Sequence, residues 1–219
     1  MNTFSAGQCI SYGWETFKKR PWFFIGSYLL YTVVVGVLSS ALLQIAKEGA
    51  VVGLVANILR LVVEIIAGMG MINFALRSHD DVEHVSIMDF WHPAPFWSYT
   101  GATLLFWLIM LVGLILLIVP GIIWSLMFGF AGYLIIDRNL GPIEALKESK
   151  RITYGYKWEL FLLGLAIFGI VILGLICLII GILVAYPIVL IAMAHAYRTL
   201  ESKADAVATS PAPAPATAI

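Results

Sequence analysis

Three arginines recur at near-equal intervals along this chain, and each closes a long apolar run. Arg77, Arg138 and Arg198 are separated by 61 and 60 residues. A fixed period of this length is typical of a repeated supersecondary unit. The spacing predicts three copies of one unit, each a pair of membrane helices preceded by a polar, partly amphipathic segment. The predicted units cover residues ~6–77, ~82–138 and ~142–200.

The apolar runs between these arginines are long enough to cross a bilayer. A hydrocarbon core of ~30 Å needs about 20 helical residues at 1.5 Å each. Two of the runs are each about 40 residues long, which suits two spans rather than one. In the first of these long runs, Pro120-Gly121 predicts a tight turn. The fold class is therefore an all-α integral membrane protein with six transmembrane helices, from the runs Trp22–Ala46, Val51–Leu76, Trp97–Ile136 and Trp158–Tyr197.

Composition supports a lipid environment and excludes several function classes. Only 12% of the 219 residues are charged, against about 25% in a soluble domain. Thirteen basic and thirteen acidic residues cancel, and no basic stripe with interleaved aromatics is present, so nucleic acid is not an expected partner. Cys9 and Cys177 lack Cys or His neighbours, which argues against a disulfide framework or a zinc site. We expect no cofactor and no metal.

The basic residues fall almost entirely on one side of the six-span arrangement. Only Lys47 lies on the other side, and Arg60 lies inside a span. This asymmetry predicts that both termini are cytoplasmic. Trp22, Trp97 and Trp158 stand where spans enter from that side, as an aromatic belt does. The basic residues on the cytoplasmic side are Lys18, Lys19, Arg20, Arg77, Arg138, Lys147, Lys150, Arg151, Lys157, Arg198 and Lys203.

A polar segment precedes each pair of spans. In the first, Ile10, Trp14 and Phe17 share one helical face. In the second, Val85, Met88 and Trp91 also share one helical face, with Ser86 as a suitable N-cap. The third, residues 141–152, has a proline suited to the first helical position and the most charge. We expect these segments to be helices in the headgroup plane, with the apolar side facing the lipid.

One polar face lies within the second span. Asn57, Arg60 and Glu64 are spaced i, i+3 and i+7, so they share a side of the helix. Ionisable groups at this depth are costly and are expected to face the bundle interior or a water cavity. Two interpretations stay open. The three side chains form an ion, proton or polar-substrate pathway, or Arg60 and Glu64 neutralise each other and join this helix to its neighbours.

Two further polar sets lie on the cytoplasmic side. Lys147, Lys150, Arg151 and Lys157 are candidate contacts for anionic lipid headgroups. The second set combines histidines with carboxylates, which could ligate a divalent ion. Because no fixed ligand spacing is present, we interpret it as a solvated loop. Its members are His79, Asp80, Asp81, Glu83, His84, Asp89 and His92.

The second half of the chain resembles a known family. The residues that carry the resemblance are IVPGIIW (118–124), the stretch FAGYLIIDRNLGPIEALKESKRITYGYKWELF (130–161), and a closing span with a tyrosine before a basic residue. They are similar to bacterial six-helix membrane proteins related to the membrane domain of glycerophosphoryl diester phosphodiesterases. The resemblance implies a six-helix envelope protein, mostly without assigned activity. The chain lacks that enzyme's soluble barrel and acidic metal site, so its reaction is not implied.

These observations predict a single six-span membrane domain over residues 1–203 and a disordered Pro/Ala-rich tail over 204–219. No nucleophile elbow, phosphate loop or dinucleotide fingerprint occurs. We therefore expect a non-enzymatic protein of the bacterial inner membrane that organises envelope lipids or partner membrane proteins. Its expected partners are anionic lipids of the cytoplasmic leaflet and, as a second option, other membrane proteins. The alternative is a small transporter or channel that uses the Asn57, Arg60 and Glu64 face.

Overall fold

The computed structural model describes residues 4–93, 95–116 and 118–209. The described residues fold into α-helices joined by short connections and one 3-10 turn, Ile87–Phe90. In chain order the helices are α1 Ala6–Lys19, α2 Pro21–Ile45, α3 Ala50–Asp80, α4 Phe96–Leu116, α5 Ile118–Phe128, α6 Ala131–Arg138, α7 Pro142–Ile152, α8 Lys157–Ile176 and α9 Leu178–Thr209.

Within these described residues, six helical segments are long and apolar enough to cross a membrane. This confirms the predicted all-helical, multi-pass class. Neighbouring spans pack together as the pairs α2 with α3, α4 with α5, and α8 with α9. The end that carries Arg77, Arg138 and Arg198 is here termed the basic end, and the opposite end the tip end. The candidate spans are Pro21–Ile45, Ala50–Asp80, Phe96–Gly113, Gly121–Arg138, Lys157–Ile176 and Gly181–Ala206.

The helix breaks differ from those that the sequence predicts. Pro120 and Gly121 were expected to form the turn, but α5 already begins at Ile118 and both lie in its first turn. Proline is tolerated there because the first N–H groups of a helix have no intrahelical acceptor. A second break, at Gly129–Phe130, divides the fourth span into α5 and α6. Its polar backbone is satisfied by α7, whose Ser149 hydroxyl donates to the Met127 carbonyl (2.8 Å) and accepts from the Phe130 amide (3.3 Å).

Helix α9 is the central element, since it packs against α1, α2, α3, α7 and α8. Its closest neighbour is α1, which lies across it at the basic end. A Cβ atom added to Gly13 of α1 would lie 2.6 Å from the Ile188 carbonyl oxygen and 3.2 Å from Ala192. The lack of a side chain at Gly13 therefore sets how closely the two helices approach.

Two of the segments expected to lie in the headgroup plane, α1 and α7, bury one side against the protein. The buried side of α1 is Cys9, Gly13, Thr16 and Phe17, whereas Trp14 is exposed. The buried stripe of α1 consists mostly of small residues, which allow α9 to approach closely. Helix α7 likewise buries Ala145, Leu146, Ser149 and Ile152.

The second polar segment forms only the single 3-10 turn. Ser86 is at the N-cap position, as the sequence predicts, and its backbone amide donates to the Asp89 carboxylate (2.8 Å). Val85 and Phe90 are buried, and Met88 and Trp91 are exposed. Pro142 opens α7 at its first position, which also agrees with the sequence.

The C-terminal boundary also differs from the sequence-based one. Helix α9 continues to Thr209, so it includes residues 204–209 of the predicted disordered tail. The remainder of that tail, residues 210–219, lies outside the described residues.

Candidate functional site

An ionic network joins the basic ends of α3, α6 and α9. Arg198 is its centre, and its guanidinium lies 2.6 Å from Asp80 of α3 and 2.7 Å from Asp137 of α6. The Tyr197 hydroxyl, on a fully buried ring, lies 2.9 Å from Asp137 Oδ2 and 2.7 Å from Glu201 Oε1. Three elements far apart in sequence are thus held by charge-assisted hydrogen bonds.

The network continues toward α7. Arg138 of α6 lies 2.6 Å from Glu201 and 2.8 Å from Asp205, both on α9. Arg151 of α7 also lies 2.8 Å from Asp205 and pairs with Glu148 of its own helix. The hydrogen bonds that Arg151 donates to Glu148 and Asp205 raise the pKa of its guanidinium. Arg151 therefore remains charged, and its charge is neutralised within the protein.

A pair of histidines extends the network toward α1. His79 Nε2 lies 3.1 Å from His195 Nδ1, and His79 Nδ1 lies 3.0 Å from Asp80 Oδ1. The Tyr12 ring stacks on His195 with centroids 4.1 Å apart, and its hydroxyl donates to the His79 carbonyl (3.0 Å). Burial raises the pKa of Tyr12, so it remains a neutral hydrogen-bond donor. These contacts join α1 to α3 and α9 at the basic end.

The acidic, histidine-containing stretch after Arg77 is dispersed rather than gathered into one centre. His79 and Asp80 belong to the network, His84 pairs with Asp81 at 2.8 Å, and Asp89 caps the 3-10 turn. In the part of the chain that the structure describes, no group of three or more His, Cys, Asp or Glu residues could hold a metal ion. Arg77 is exposed and, unlike Arg138 and Arg198, forms no ion pair with any described residue.

Two apolar grooves flank α5 on the outer surface of the bundle, and each contains one lysine. The first, of about 450 Å³, lies between α4 and α5 and has Lys150 of α7 in its lining. The second, of about 480 Å³, lies between α5 and α8 and has Lys157 in its lining. Apolar residues make up the rest of both walls: Leu108, Ile109, Val112, Trp124, Met127 and Phe128 in the first, and Ile122, Ile123, Leu126, Trp158 and Phe161 in the second.

The four predicted lipid contacts therefore separate into three kinds. Lys150 and Lys157 are exposed, line the grooves, and have no carboxylate within ion-pair distance among the described residues. Lys147 is exposed on α7 but lines neither groove. Arg151 is engaged by Glu148 and Asp205. The structure singles out two of the four as cations that remain available beside an apolar groove.

The intramembrane polar face is near the middle of the membrane span. The Asn73 side-chain amide of α3 donates to the Asp89 carbonyl (2.7 Å), and the Phe90 carbonyl packs directly on Gly70. The polar loop that precedes α4 is thus level with residues 70–73 of α3. Arg60 is ten residues further along α3, about 15 Å at a 1.5 Å rise, which is half of a ~30 Å hydrocarbon core.

None of the three side chains of this polar face is fully buried within the bundle. The side chains of Arg60 and Glu64 are 37% and 50% exposed, and Asn57 is exposed. Arg60 Nε lies 3.7 Å from Glu64 Oε1, and the Asn57 amide donates back to the Gly53 carbonyl (2.8 Å). An ionisable side chain at the membrane centre costs about 2.5–3.5 kcal/mol on insertion scales. Outward placement there calls for a covering partner.

Sequence reasoning did not identify the ionic network. The carboxylates Asp80, Asp137 and Glu201 each lie within three residues of one of the three spaced arginines, and this adjacency was the available signal. The pairing joins helices that are distant in sequence, however, since Arg198 of α9 binds Asp80 of α3 and Asp137 of α6. One sequence does not reveal such cross-pairing.

The six apolar helical segments and the ionic network that joins them define a polytopic α-helical membrane protein. The chain belongs to a family described as protein of unknown function (DUF975), whose model matches residues 2–204. Neither a curated protein nor a solved structure matches the chain. The family is compatible with the resemblance noted in the sequence, although it establishes no link to the phosphodiesterase membrane domain.

Proposed function

We propose that this protein is a non-enzymatic protein of the bacterial cytoplasmic membrane that binds anionic phospholipids and thereby organises lipids, and partner membrane proteins, around it. The observation that carries the proposal is the pair of apolar grooves beside α5, each with an available lysine. A groove of this kind suits an acyl chain, and an ammonium at its polar end suits a phosphate headgroup.

The charge distribution supports a cytoplasmic location for the basic end. Eleven of the thirteen basic residues fall on that side of the six spans, and positive residues are retained on the cytoplasmic side. Lys150 and Lys157 then meet the leaflet that carries a negative surface potential. Both termini are cytoplasmic in this arrangement, and the three helix pairs are repeats of one unit related to the phosphodiesterase membrane domain.

Trp158 supports the same placement. It lines the groove of Lys157, is 66% exposed and stands at the start of α8. Tryptophan favours the membrane–water interface because its ring is apolar and its N–H is polar. The lysine of this groove is therefore level with lipid phosphates, and the groove extends from it into the hydrocarbon region.

The proposal is tested by counting the lipids that remain bound to the purified full-length protein. We expect native mass spectrometry to show phosphatidylglycerol or cardiolipin on the wild type. In Lys150→Gln/Lys157→Gln, affinity for anionic lipid falls about fivefold per groove, since one basic charge near the surface contributes about 1 kcal/mol. Lys147→Gln is the matched control, because Lys147 is exposed on the same helix as Lys150 but lines neither groove, and it retains wild-type lipid. Equal retention by the double variant would contradict the proposal.

The sequence-based alternative, a transporter or channel that uses Asn57, Arg60 and Glu64, has no comparable geometric support. These side chains lie on the outer surface, and other residues line the grooves beside α5. Flux that Glu64→Gln abolishes in reconstituted vesicles would nevertheless favour it.

A further inference from the structure

The polar side chains of α3 are incompletely paired. The contact between Arg60 Nε and Glu64 Oε1 is 3.7 Å, longer than the 2.7–2.9 Å of a charge-assisted hydrogen bond. Arg60 Nε is itself shielded from solvent and has no hydrogen-bond partner among the described residues. A guanidinium carries five N–H donors, so most of its hydrogen-bonding capacity is unused.

A second polar atom without a partner lies at the same depth on the neighbouring helix. Helices α2 and α3 pair antiparallel, as shown by the Phe24–Phe74 ring contact and by the Tyr31 hydroxyl, which donates to the Ala67 carbonyl. This register places Ser39 level with Arg60. Ser39 Oγ is also shielded and has no partner within the described part of the chain. The polar region thus extends over both helices of the first pair.

The flanks of this region are apolar and exposed. Leu54, Ile58 and Leu61 of α3 are each at least half exposed, as are Val33, Val34 and Val37 of α2. Lipid tails can cover such side chains, but they cannot hydrogen-bond Arg60, Glu64 or Asn57. The occupant of this face therefore has to be apolar at its edges and to carry complementary charge at the same depth.

A second copy of this chain meets both conditions. Arg60 and Glu64 are of opposite sign and lie one helical turn apart. Under a two-fold axis along the membrane normal, Arg60 of each copy can reach Glu64 of the other, and the two contacts are identical. Polar contacts between membrane helices, including those of asparagine, stabilise such association. We propose that the α2–α3 surface around Asn57, Arg60 and Glu64 is a homodimer interface in which Arg60 and Glu64 exchange between copies.

Charge-reversal variants of the full-length protein in lipid bilayers test this interface. Arg60→Glu places two acidic residues on the face, and Glu64→Arg places two basic residues there. Each variant alone is expected to lose the dimer, with a dissociation constant raised about ten- to a hundredfold by the loss of two interhelical polar contacts. Co-expression of the two variants under different tags is expected to restore a heterodimer. Lys47→Gln is the control, since Lys47 lies at the tip of the same helix pair, and it retains the dimer.

A heterodimer of the two reversed variants would show that Arg60 and Glu64 pair between copies, because a pair within one helix could not be restored by a second copy. The proposal is overturned if the wild-type protein stays monomeric at every protein-to-lipid ratio. That result is expected if a different membrane protein covers this face. Undiminished dimer in both reversed variants, or a mixture that fails to associate, also overturns it. If the reversed variants do not insert into the membrane, Arg60→Leu/Glu64→Leu is used instead, because it removes both charges and leaves an apolar span that inserts readily. The proposal predicts that this variant is monomeric.

Discussion

Arg198 and Arg77 occupy equivalent places in the sequence pattern but very different places in the molecule. Arg198 is surrounded by Asp80, Asp137 and Glu201 and joins three helices. Arg77 is exposed and forms no ion pair with any described residue. Arg198 makes an interhelical contact because the fold brings carboxylates to it, whereas no described carboxylate lies within ion-pair distance of Arg77.

Arg198→Leu should therefore destabilise the protein while Arg77→Leu does not. Loss of Arg198 leaves Asp80 and Asp137 without their main partner in a partly buried site. We expect a loss of about 1–3 kcal/mol in the free energy of unfolding, between the values for exposed and fully buried pairs. Arg77→Leu should change it by less than about 0.5 kcal/mol. SDS-induced unfolding of the two variants provides the comparison, and equal effects would show that the network contributes nothing.

At the scale of elements, the docking of α1 on α9 depends on one position. The buried stripe of α1 consists largely of small residues, and Gly13 meets the α9 backbone directly. Cys9 lies in the same stripe, where burial raises the pKa of its thiol to about 11. The buried side of this helix is covered by protein, chiefly by α9.

Gly13→Ala tests this contact. A Cβ atom there would lie 2.6 Å from a backbone carbonyl, so the helices must separate, and we expect a destabilisation of about 1–3 kcal/mol. Gly7→Ala in the same helix is the control. Its added Cβ would meet only Ser5 Oγ at 3.8 Å, and alanine favours the helix by about 0.5–1 kcal/mol. Thermal unfolding should rank Gly13→Ala below the wild type and Gly7→Ala at or above it.

How much of the structure can be predicted from sequence depends on the range of the interactions. The spans, the Ser86 cap and the Pro142 helix start follow from local composition and were predicted. The break at Gly129–Phe130 was not, because Ser149, twenty residues from Gly129, satisfies its backbone. The sequence left the direction of the Asn57, Arg60 and Glu64 face open between the bundle interior and a water cavity. Spacing shows that three residues share a face, but only the packing of the neighbouring helices decides which way that face points.

At the scale of the whole molecule, topology can be read from two natural cysteines. Cys177 is exposed in the connection between α8 and α9 at the tip end, whereas Cys9 is buried near the basic end. If both termini are cytoplasmic, a membrane-impermeant maleimide added to intact spheroplasts labels Cys177 alone. Cys9 stays unlabelled because its thiol is shielded, and its raised pKa leaves little thiolate at neutral pH. Cys177→Ser should abolish labelling, and labelling of Cys177 only after lysis would reverse the orientation.

The central claim, that anionic lipid occupies the two grooves beside α5, is tested most directly by finding where such a lipid binds. The full-length protein is reconstituted with phosphatidylglycerol that carries a photoactivatable acyl chain, and the labelled peptides are identified by mass spectrometry. We predict adducts concentrated on α5 and on the facing parts of α4 and α8, and not seen with phosphatidylcholine at equal mole fraction. Adducts spread evenly over the exposed faces of all the spans, and equal for the two lipids, would contradict the claim.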